Sequence, residues 1–309
     1  MELQLKNIGM ITEANVKIDG LTVIAGENDT GKSTVAKILY KSLEKKKSSS
    51  NEKEFNFPII FPEMLKLSET DGSSFSLISS WESENVSSYQ PIFIETPLIW
   101  LFTDFFRDIA LIESQISIKI DYPKFMKDLN FKLFIKSASN GLDIKDKMVT
   151  LMGGEFKKDK MGKYFFEKRK QRIELEQTAT GIKYLGIFQV LSQNNYLNKN
   201  TVLILDEPEV HLHPKWQLEM AKIIVELVKS GVKVLVNSHS PYMIEALKRY
   251  SDKEEQEDKT NFYLAEDGYI KQINDSNSKT LEKIFEKLSE PFDVFEEMDS
   301  QSLGNLING

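Results

Sequence analysis

Residues 26–33 carry the side-chain types and spacing that bind phosphate groups. Their sequence, GENDTGKS, matches the pattern G-x-x-x-x-G-K-[ST] at every fixed position. Glycines in such a loop let backbone N–H groups curl around phosphate oxygens, and a helix beginning at Lys32 adds the partial positive charge of its N-terminus. The ammonium group of Lys32 would reach the terminal phosphates, and the hydroxyl of Ser33 would bind Mg²⁺. The pattern therefore predicts a site for a nucleotide and its magnesium ion.

Two adjacent carboxylates, Asp206 and Glu207, follow an apolar run much later in the chain. A carboxylate at the C-terminal edge of a parallel sheet faces the crevice in which ligands bind. Asp206 is expected to hold Mg²⁺ through its water shell, and Glu207 is expected to polarise the attacking water as general base. The long separation from Lys32, and the lack of an Asn-Lys-x-Asp signature for guanine, argue against a simple GTPase and leave room for an inserted lobe.

The elements that must position these groups alternate between strand and helix. Residues 21–25 form an apolar run typical of a strand buried on both faces, and a helix is predicted from Lys32 to about Lys45. Residues 202–205 and 232–236 are predicted strands joined by a helix over 215–229. A strand–helix–strand unit of this kind implies a parallel sheet.

The N-terminal residues and the middle of the chain have different patterns. Residues 1–18 alternate with period two around a turn at Thr12-Glu13, which predicts antiparallel strands. Residues from about 55 to 150 are rich in aromatic side chains. Within this stretch, helices are predicted over 98–118 and 124–136, and a short strand is predicted over 92–94. This stretch is interpreted as an inserted lobe that is mostly α-helical.

After the lobe, residues 148–176 return to period two, with a hairpin turn expected near residues 160–162. From Glu155 to Glu174 there are eight basic and four acidic side chains, with aromatic residues interleaved. Such a surface could lie on the phosphate backbone of DNA or RNA, or it could be an ordinary solvated face. The sequence favours the solvated face without excluding the other.

Composition excludes several classes of function. The chain has 40 basic and 47 acidic residues, a net charge of −7, so it is not a globally basic nucleic-acid-binding protein. It contains no cysteine, which excludes disulfides, thiolate catalysis and cysteine-ligated zinc. No apolar run reaches the roughly 18 residues of a membrane span, and the N-terminus lacks a signal-peptide pattern. A cytoplasmic protein without a membrane partner is expected.

Three further segments carry a family resemblance: LDEPEVHLHP at 205–214, VNSHSP at 236–241 and TATGIK at 178–183. Together with residues 26–34, they resemble the ABC-class ATPases of the RecF, SMC and OLD-like branch. In order, the three look like that branch's Walker B with its D-loop, its strand ending in a switch histidine, and its short signature motif. Thr180 stands where the signature usually has serine.

The resemblance implies an α/β fold: a P-loop ABC-type ATPase core with N-terminal antiparallel β strands and an inserted mainly α-helical lobe. Residues 1–47 and 148–275 would form the discontinuous nucleotide-binding core, 48–147 the lobe, and 276–309 a C-terminal helical segment packing on the core. Two subunits of such proteins sandwich two ATP molecules, so a homodimer or higher homo-oligomer is expected.

The resemblance also implies roles for individual residues. Glu207, His239 and Lys32 would be catalytic, and Ser33 and Asp206 would bind Mg²⁺. His211 would lie at the dimer boundary, whereas neither Gln90 nor Glu95 is assigned to the metal and water. The residues expected to bind ATP are Gly26, Asn28, Asp29, Thr30, Gly31, Lys32, Ser33, Thr34, Thr180 and Gly181.

Two functions follow from the resemblance. Members of this small kind are similar to the ATPase components of bacterial anti-phage defence systems such as Septu, which work beside a nuclease or another effector. No nuclease constellation can be built from the three histidines of this chain, so the effector, a nuclease or another toxin, would be a separate protein. The alternative is a RecF/SMC-like DNA-binding ATPase of repair or chromosome maintenance, and a transporter ATPase fits less well because the signature lacks the Leu-Ser-Gly-Gly-Gln form.

Overall fold

The computed structural model describes residues 1–46, 74–78, 88–116 and 122–307. Its strands, in chain order, are β1 Glu2–Ile8, β2 Ile11–Lys17, β3 Leu21–Ala25, β4 Ser74–Ile78, β5 Gln90–Ile94, β6 Glu155–Lys158, β7 Tyr164–Lys168, β8 Gln171–Ile173, β9 Thr201–Asp206, β10 Lys233–Ser238, β11 Thr260–Glu266 and β12 Tyr269–Lys271. Its α-helices are α1 Lys32–Lys46, α2 Thr103–Ile116, α3 Lys124–Phe134, α4 Lys145–Met152, α5 Thr180–Gln193, α6 Pro214–Lys229, α7 Pro241–Lys253 and α8 Asn277–Ile307.

Nine of the described strands form one mixed sheet in the order β4-β1-β2-β12-β11-β3-β10-β9-β5. The strands β11, β3, β10, β9 and β5 are mutually parallel, so their carboxyl ends share one edge. The register pairs Ala25 with Ser238 and Asn237 with Asp206, which places the ends of β3, β10 and β9 side by side. The predicted antiparallel pair at the N-terminus is present as β1 and β2.

Helices cover both faces of the parallel half, as its continuous apolar strands require. Leu203 and Leu205 of β9 pack into the core that also contains α5, α6 and α7. Val202 and Ile204, which point to the opposite face, pack with α1. The fold is therefore the predicted α/β class with a P-loop between β3 and α1, and the core on each face fixes the sheet edge at which the loops meet.

The segment interpreted as a lobe also contributes strands to the main sheet. β5 pairs in parallel with β9, and β4 pairs with β1. The sheet thus includes strands from within residues 48–147, while α2 and α3 belong to the helical part of that segment. Four aromatic residues of this segment, Phe55, Phe57, Phe61 and Trp81, lie outside the described residues.

Two expectations for local structure need correction. The period-two pattern expected from residue 148 is wrong at its start, because residues 148–152 lie in α4. Met148 and Met152 are both buried there, four residues apart on one helical face. The helix expected from Leu98 begins instead as a 3₁₀ helix, Pro97–Phe102, because Thr96 accepts a hydrogen bond from the Leu98 N–H and starts a tighter turn.

The small antiparallel sheet β6-β7-β8 packs on α5. Its first hairpin turns at residues 159–163, as predicted, with Gly162 in a left-handed conformation. At the other end of the chain, α8 places Leu281 and Ile284 in the core beside α6 and α7. Across the described ranges, no helix is both long and apolar enough to cross a membrane.

Candidate nucleotide-binding site

The phosphate loop connects β3 to α1 at the shared carboxyl edge. Gly26 lies against the backbone of Ala265 on β11, and a methyl group there would be 2.3 Å from the Ala265 carbonyl oxygen. Gly31 has φ +92°, a conformation that L side chains rarely adopt. Both glycines of the motif are therefore required by the geometry of the loop, which explains why the pattern specifies them.

Lys32 is buried, with only 4 % of its surface exposed. Its Nζ donates hydrogen bonds to the carbonyl oxygens of Gly26, at 2.9 Å, and Glu27. Burial lowers the pKa of Lys32, while the charges of Glu207 and then Asp206 oppose that shift. A buried ammonium group that has only neutral carbonyl partners in its own loop is well suited to bind the phosphates of a nucleotide.

The other residues predicted to bind ATP differ in exposure along the loop and the first turn of α1. Asn28 and Asp29 are exposed, and Asp29 has φ +66°. Thr30 closes the loop by donating its hydroxyl to the Glu27 carbonyl oxygen at 2.9 Å. Ser33 and Thr34 lie half-buried in the first turn of α1. The loop is thus held by its own hydrogen bonds, and its open side is formed by exposed residues.

Asp206 and Glu207 lie beside this loop, where β9 ends. Asn237 on β10 donates its amide to Asp206 Oδ1 at 2.7 Å, which fixes the orientation of a buried carboxylate. Glu207 has φ +48°, and its backbone N–H donates to the Asn237 carbonyl oxygen at 3.0 Å. This left-handed residue turns the chain out of the sheet and into the 3₁₀ helix Pro208–His211.

His239 follows β10, the strand between β3 and β9. Its Nδ1 lies 3.5 Å from Glu207 Oε1 and 3.6 Å from Glu209 Oε1. Ser240 caps α7 through its hydroxyl, with Pro241 at the first helical position, as the sequence Ser-Pro suggests. The structure therefore brings together Lys32, the two carboxylates and the histidine at one edge of the sheet.

These residues suit a magnesium–nucleotide complex better than a metal ion bound by protein alone. In the part of the chain that the structure describes, no group of three or more histidine, aspartate or glutamate side chains could hold a metal ion. Mg²⁺ bound to a nucleotide needs only one or two protein oxygens besides phosphates and water. Ser33 and Asp206 can supply those oxygens.

The signature residues occupy the N-terminus of α5. Thr180 is exposed, and among the described residues no side chain caps the first turn of the helix. Gly181 is packed closely on the 3₁₀ helix Pro208–His211, called the D-loop below, so that a methyl group would lie 2.5 Å from the His211 carbonyl oxygen. Free N–H groups at a helix N-terminus attract anions. The same subunit therefore supports this turn through His211 and leaves its N–H groups available.

His211 and His213 have separate surroundings. The ring of His211 lies 6.4 Å from that of Tyr184, and burial lowers its pKa. His213 begins α6, and its Nδ1 accepts a hydrogen bond from the Lys215 N–H at 3.3 Å. His213 thus has a structural role as a helix cap, and His211 lies against the signature helix.

The structure distinguishes the two residues that the sequence left unassigned. Gln90 begins β5 and pairs with Thr201, so it lies at the edge opposite the phosphate loop. Glu95 follows β5 at the carboxyl edge and forms an ion pair with Lys37 of α1 at 3.1 Å. Glu95 therefore lies at the same edge of the sheet as Asp206.

Glu209 and Asn237 are two buried polar residues that orient the site and that were not predicted from the sequence. Glu209 Oε1 accepts hydrogen bonds from Ser238 Oγ and from the backbone N–H groups of His239 and Ser240. Glu209 could have been identified as a candidate site residue because it is a third acidic residue directly after Asp206-Glu207-Pro208. Nothing in the local pattern distinguishes Asn237 from other strand residues.

The positive charge of the basic segment from Glu155 to Glu174 is partly neutralised by the acidic residues of the same segment. Lys157 pairs with Glu167, and Arg172 pairs with Asp159 and Glu174. The turn between β7 and β8 is formed by two basic residues with positive φ, Arg169 and Lys170, and both are exposed. The charge therefore concentrates at this turn.

A comparison with protein families matches residues 67–244, more than half of the chain, to the model of the AAA ATPase domain. This range includes the signature residues, the paired carboxylates and His239, and it begins after the phosphate loop. A curated protein, the Old nuclease of Escherichia phage P2, is 35 % identical over 66 residues, which are 21 % of this chain and 11 % of that protein. This chain therefore matches only about a tenth of that relative's length.

Two solved structures have similar folds. One is an ATP-binding cassette of an ABC transporter in its ADP conformation, with 17 % identity, a TM-score of 0.45, and coverage of 96 % of this chain and 99 % of the other. The second is the Smc head bound to the C-winged helix domain of ScpA, with 16 % identity, a TM-score of 0.48, and coverage of 88 % and 96 %. Since the family model extends over more than half of its length, this chain belongs to the AAA ATPase domain family.

Proposed function

We propose that the chain binds Mg-ATP between its phosphate loop and the end of β9, and that Glu207 is the general base for hydrolysis. The observation that carries this proposal is the position of Glu207: its carboxylate lies 3.5 Å from His239 Nδ1, and its charge opposes the lowering of the Lys32 pKa by burial. Lys32 binds the β- and γ-phosphates, and Ser33 and Asp206 are the protein ligands of Mg²⁺. An ion held there would supply positive charge to stabilise the phosphates during transfer.

The ATP-bound chain works as a homodimer or a higher homo-oligomer. Thr180 and Gly181 supply an uncapped helix N-terminus, which faces the γ-phosphate bound by the other subunit. His239 senses that phosphate from the subunit that binds the nucleotide. The uncapped turn supports this arrangement because its N–H groups are oriented for an anion that their own subunit does not supply.

The switch regulates a separate effector, a nuclease or another toxin, in anti-phage defence. The limited match to the phage P2 protein named Old nuclease supports a link between this ATPase type and nuclease function. The test is plating of phages on cells that carry the natural genes with either the wild-type chain or Lys32→Ala. Equal plating on both would overturn the role in defence. Turnover stimulated by DNA in the absence of a partner would favour a RecF/SMC-like protein instead.

The biochemical test uses Glu207→Gln, which keeps the shape of the side chain and removes its basicity. We expect this variant to bind ATP, to lack hydrolysis, and to change from monomer to dimer in light scattering only when Mg-ATP is added. Glu257→Gln, at an exposed position in the 3₁₀ helix Glu257–Lys259, is the matched control. Appreciable turnover by Glu207→Gln would exclude Glu207 as the base, and a monomer in saturating Mg-ATP would exclude the ATP dimer.

A further inference from the structure

Glu209 holds the chain segment that carries His239. Its side chain is buried in the 3₁₀ helix Pro208–His211. One oxygen, Oε1, accepts from Ser238 Oγ at 2.7 Å, from the His239 N–H at 2.8 Å and from the Ser240 N–H at 3.2 Å. Hydrogen bonds to a carboxylate are roughly twice as strong as those between neutral groups. A single oxygen atom therefore fixes the backbone at His239.

A second contact ties the same segment to α6. Gln217 donates to the carbonyl oxygens of Glu209, at 3.4 Å, and Leu212, at 3.0 Å. It also accepts the Ser240 hydroxyl at 2.7 Å. Glu209 and Gln217 thus connect the D-loop to residues 238–240 through hydrogen bonds.

The other oxygen of Glu209 has no hydrogen-bond partner among the described residues, and the 3₁₀ helix that carries Glu209 contacts α5. Glu209 Oε2 and the hydroxyl of Tyr184 on α5 are both buried, and neither has a hydrogen-bond partner among the described residues. Burial, followed by the charge of Glu209, raises the pKa of Tyr184. The Tyr184 ring also packs on His211 of the same 3₁₀ helix. A buried donor and a buried acceptor are thus unpaired on two elements that already touch.

We propose that Glu209 is a positioning residue that couples the signature helix to the switch histidine, with the Tyr184 hydroxyl donating to Glu209 Oε2 when ATP closes the dimer. Pairing the two groups removes the cost of leaving them unsatisfied in the interior, so a small movement of α5 towards the D-loop is favoured. Through Oε1, that movement reaches the backbone of His239. This inference rests on the proposed function, because it requires His239 and the signature to act on ATP.

The first experiment is a double-mutant cycle of Glu209→Gln and His239→Ala, with Glu257→Gln as control. We expect Glu209→Gln to lower kcat by about tenfold and to change ATP affinity by less than about twofold, because the phosphate loop is untouched. In the His239→Ala background the same change should lower kcat by less than about twofold. Equal losses in both backgrounds would show that Glu209 does not act through His239.

The second experiment tests the hydroxyl of Tyr184 with Tyr184→Phe, and Tyr269→Phe at an exposed position is the control. If the hydroxyl is only an unpaired buried group, its removal leaves kcat unchanged. The coupling predicts a kcat about threefold or more below wild type, and no further loss when Tyr184→Phe is added to Glu209→Gln. Glu207→Gln is assayed in parallel to distinguish failure of the proposed function from failure of this inference. If Glu207→Gln still hydrolyses ATP, the proposed function is wrong. If Glu207→Gln is inactive but the effects of the paired substitutions on kcat are additive, only this inference is wrong.

Discussion

Gly181 is the position at which the contact between α5 and the D-loop can be perturbed with one methyl group. The methyl of Gly181→Ala would lie 2.5 Å from the His211 carbonyl oxygen, about 1 Å short of ordinary van der Waals contact. The nearest atom belongs to the backbone and cannot rotate away. Either the first turn of α5 or the 3₁₀ helix Pro208–His211 must therefore move by most of an ångström.

The expected magnitudes differ for stability and for activity. Overpacking of this kind destabilises the folded state by about 1–3 kcal/mol. Alanine stabilises a helix by about 0.5–1 kcal/mol relative to glycine, which offsets part of that loss. We expect the free energy of unfolding to fall by about 1–2 kcal/mol. A displacement of about 1 Å at a reacting site costs on the order of 10²-fold in rate. The loss of turnover should therefore be much larger than the loss of stability suggests.

The assay combines urea denaturation with steady-state ATP hydrolysis. Gly162→Ala is the matched control, since Gly162 has φ +80° and no atom of the described part of the chain lies within 4 Å of an added methyl. The left-handed backbone makes that substitution cost about 1–2 kcal/mol without touching the site. Wild-type turnover by Gly181→Ala, or an equal loss of turnover in both variants, would refute the reasoning.

Two further predictions follow from buried hydrogen bonds. Lys32→Ala should weaken ATP binding by at least about 100-fold in titration calorimetry, because each charge-assisted hydrogen bond to a phosphate contributes about 1.5–3 kcal/mol. Lys222 is exposed, and Lys222→Ala should bind ATP with the affinity of the wild type. Gln189→Leu should lower the free energy of unfolding by about 2–5 kcal/mol in urea denaturation. The side-chain amide of Gln189 forms hydrogen bonds with both the N–H and the carbonyl oxygen of Phe156, each at 3.0 Å. The substitution would leave both of these backbone groups unpaired in the interior. A loss for Gln189→Leu no larger than that of the exposed Gln177→Leu would contradict this role.

The phosphate loop could be predicted from the sequence because its geometry is local. Eight consecutive residues form the turn, and Gly31 is required there by its own φ of +92°. The strands β3, β9 and β10 were predictable for a similar reason, since continuous apolar runs are buried on both faces. The α-helical character of residues 148–152 was missed because Met148 and Met152 match both an alternating and a helical pattern over so short a segment.

The sequence by itself predicted which groups would bind phosphate and which strands carry them. Only the tertiary structure decided how the site is held together. The proximity of Lys32 to Glu207, the pairing of Asn237 with Asp206, and the position of Glu95 all depend on strand order, which adjacent residues do not encode. Glu209 is the clearest case, because its partners lie about thirty positions away on another strand and become neighbours only when β9 and β10 pair.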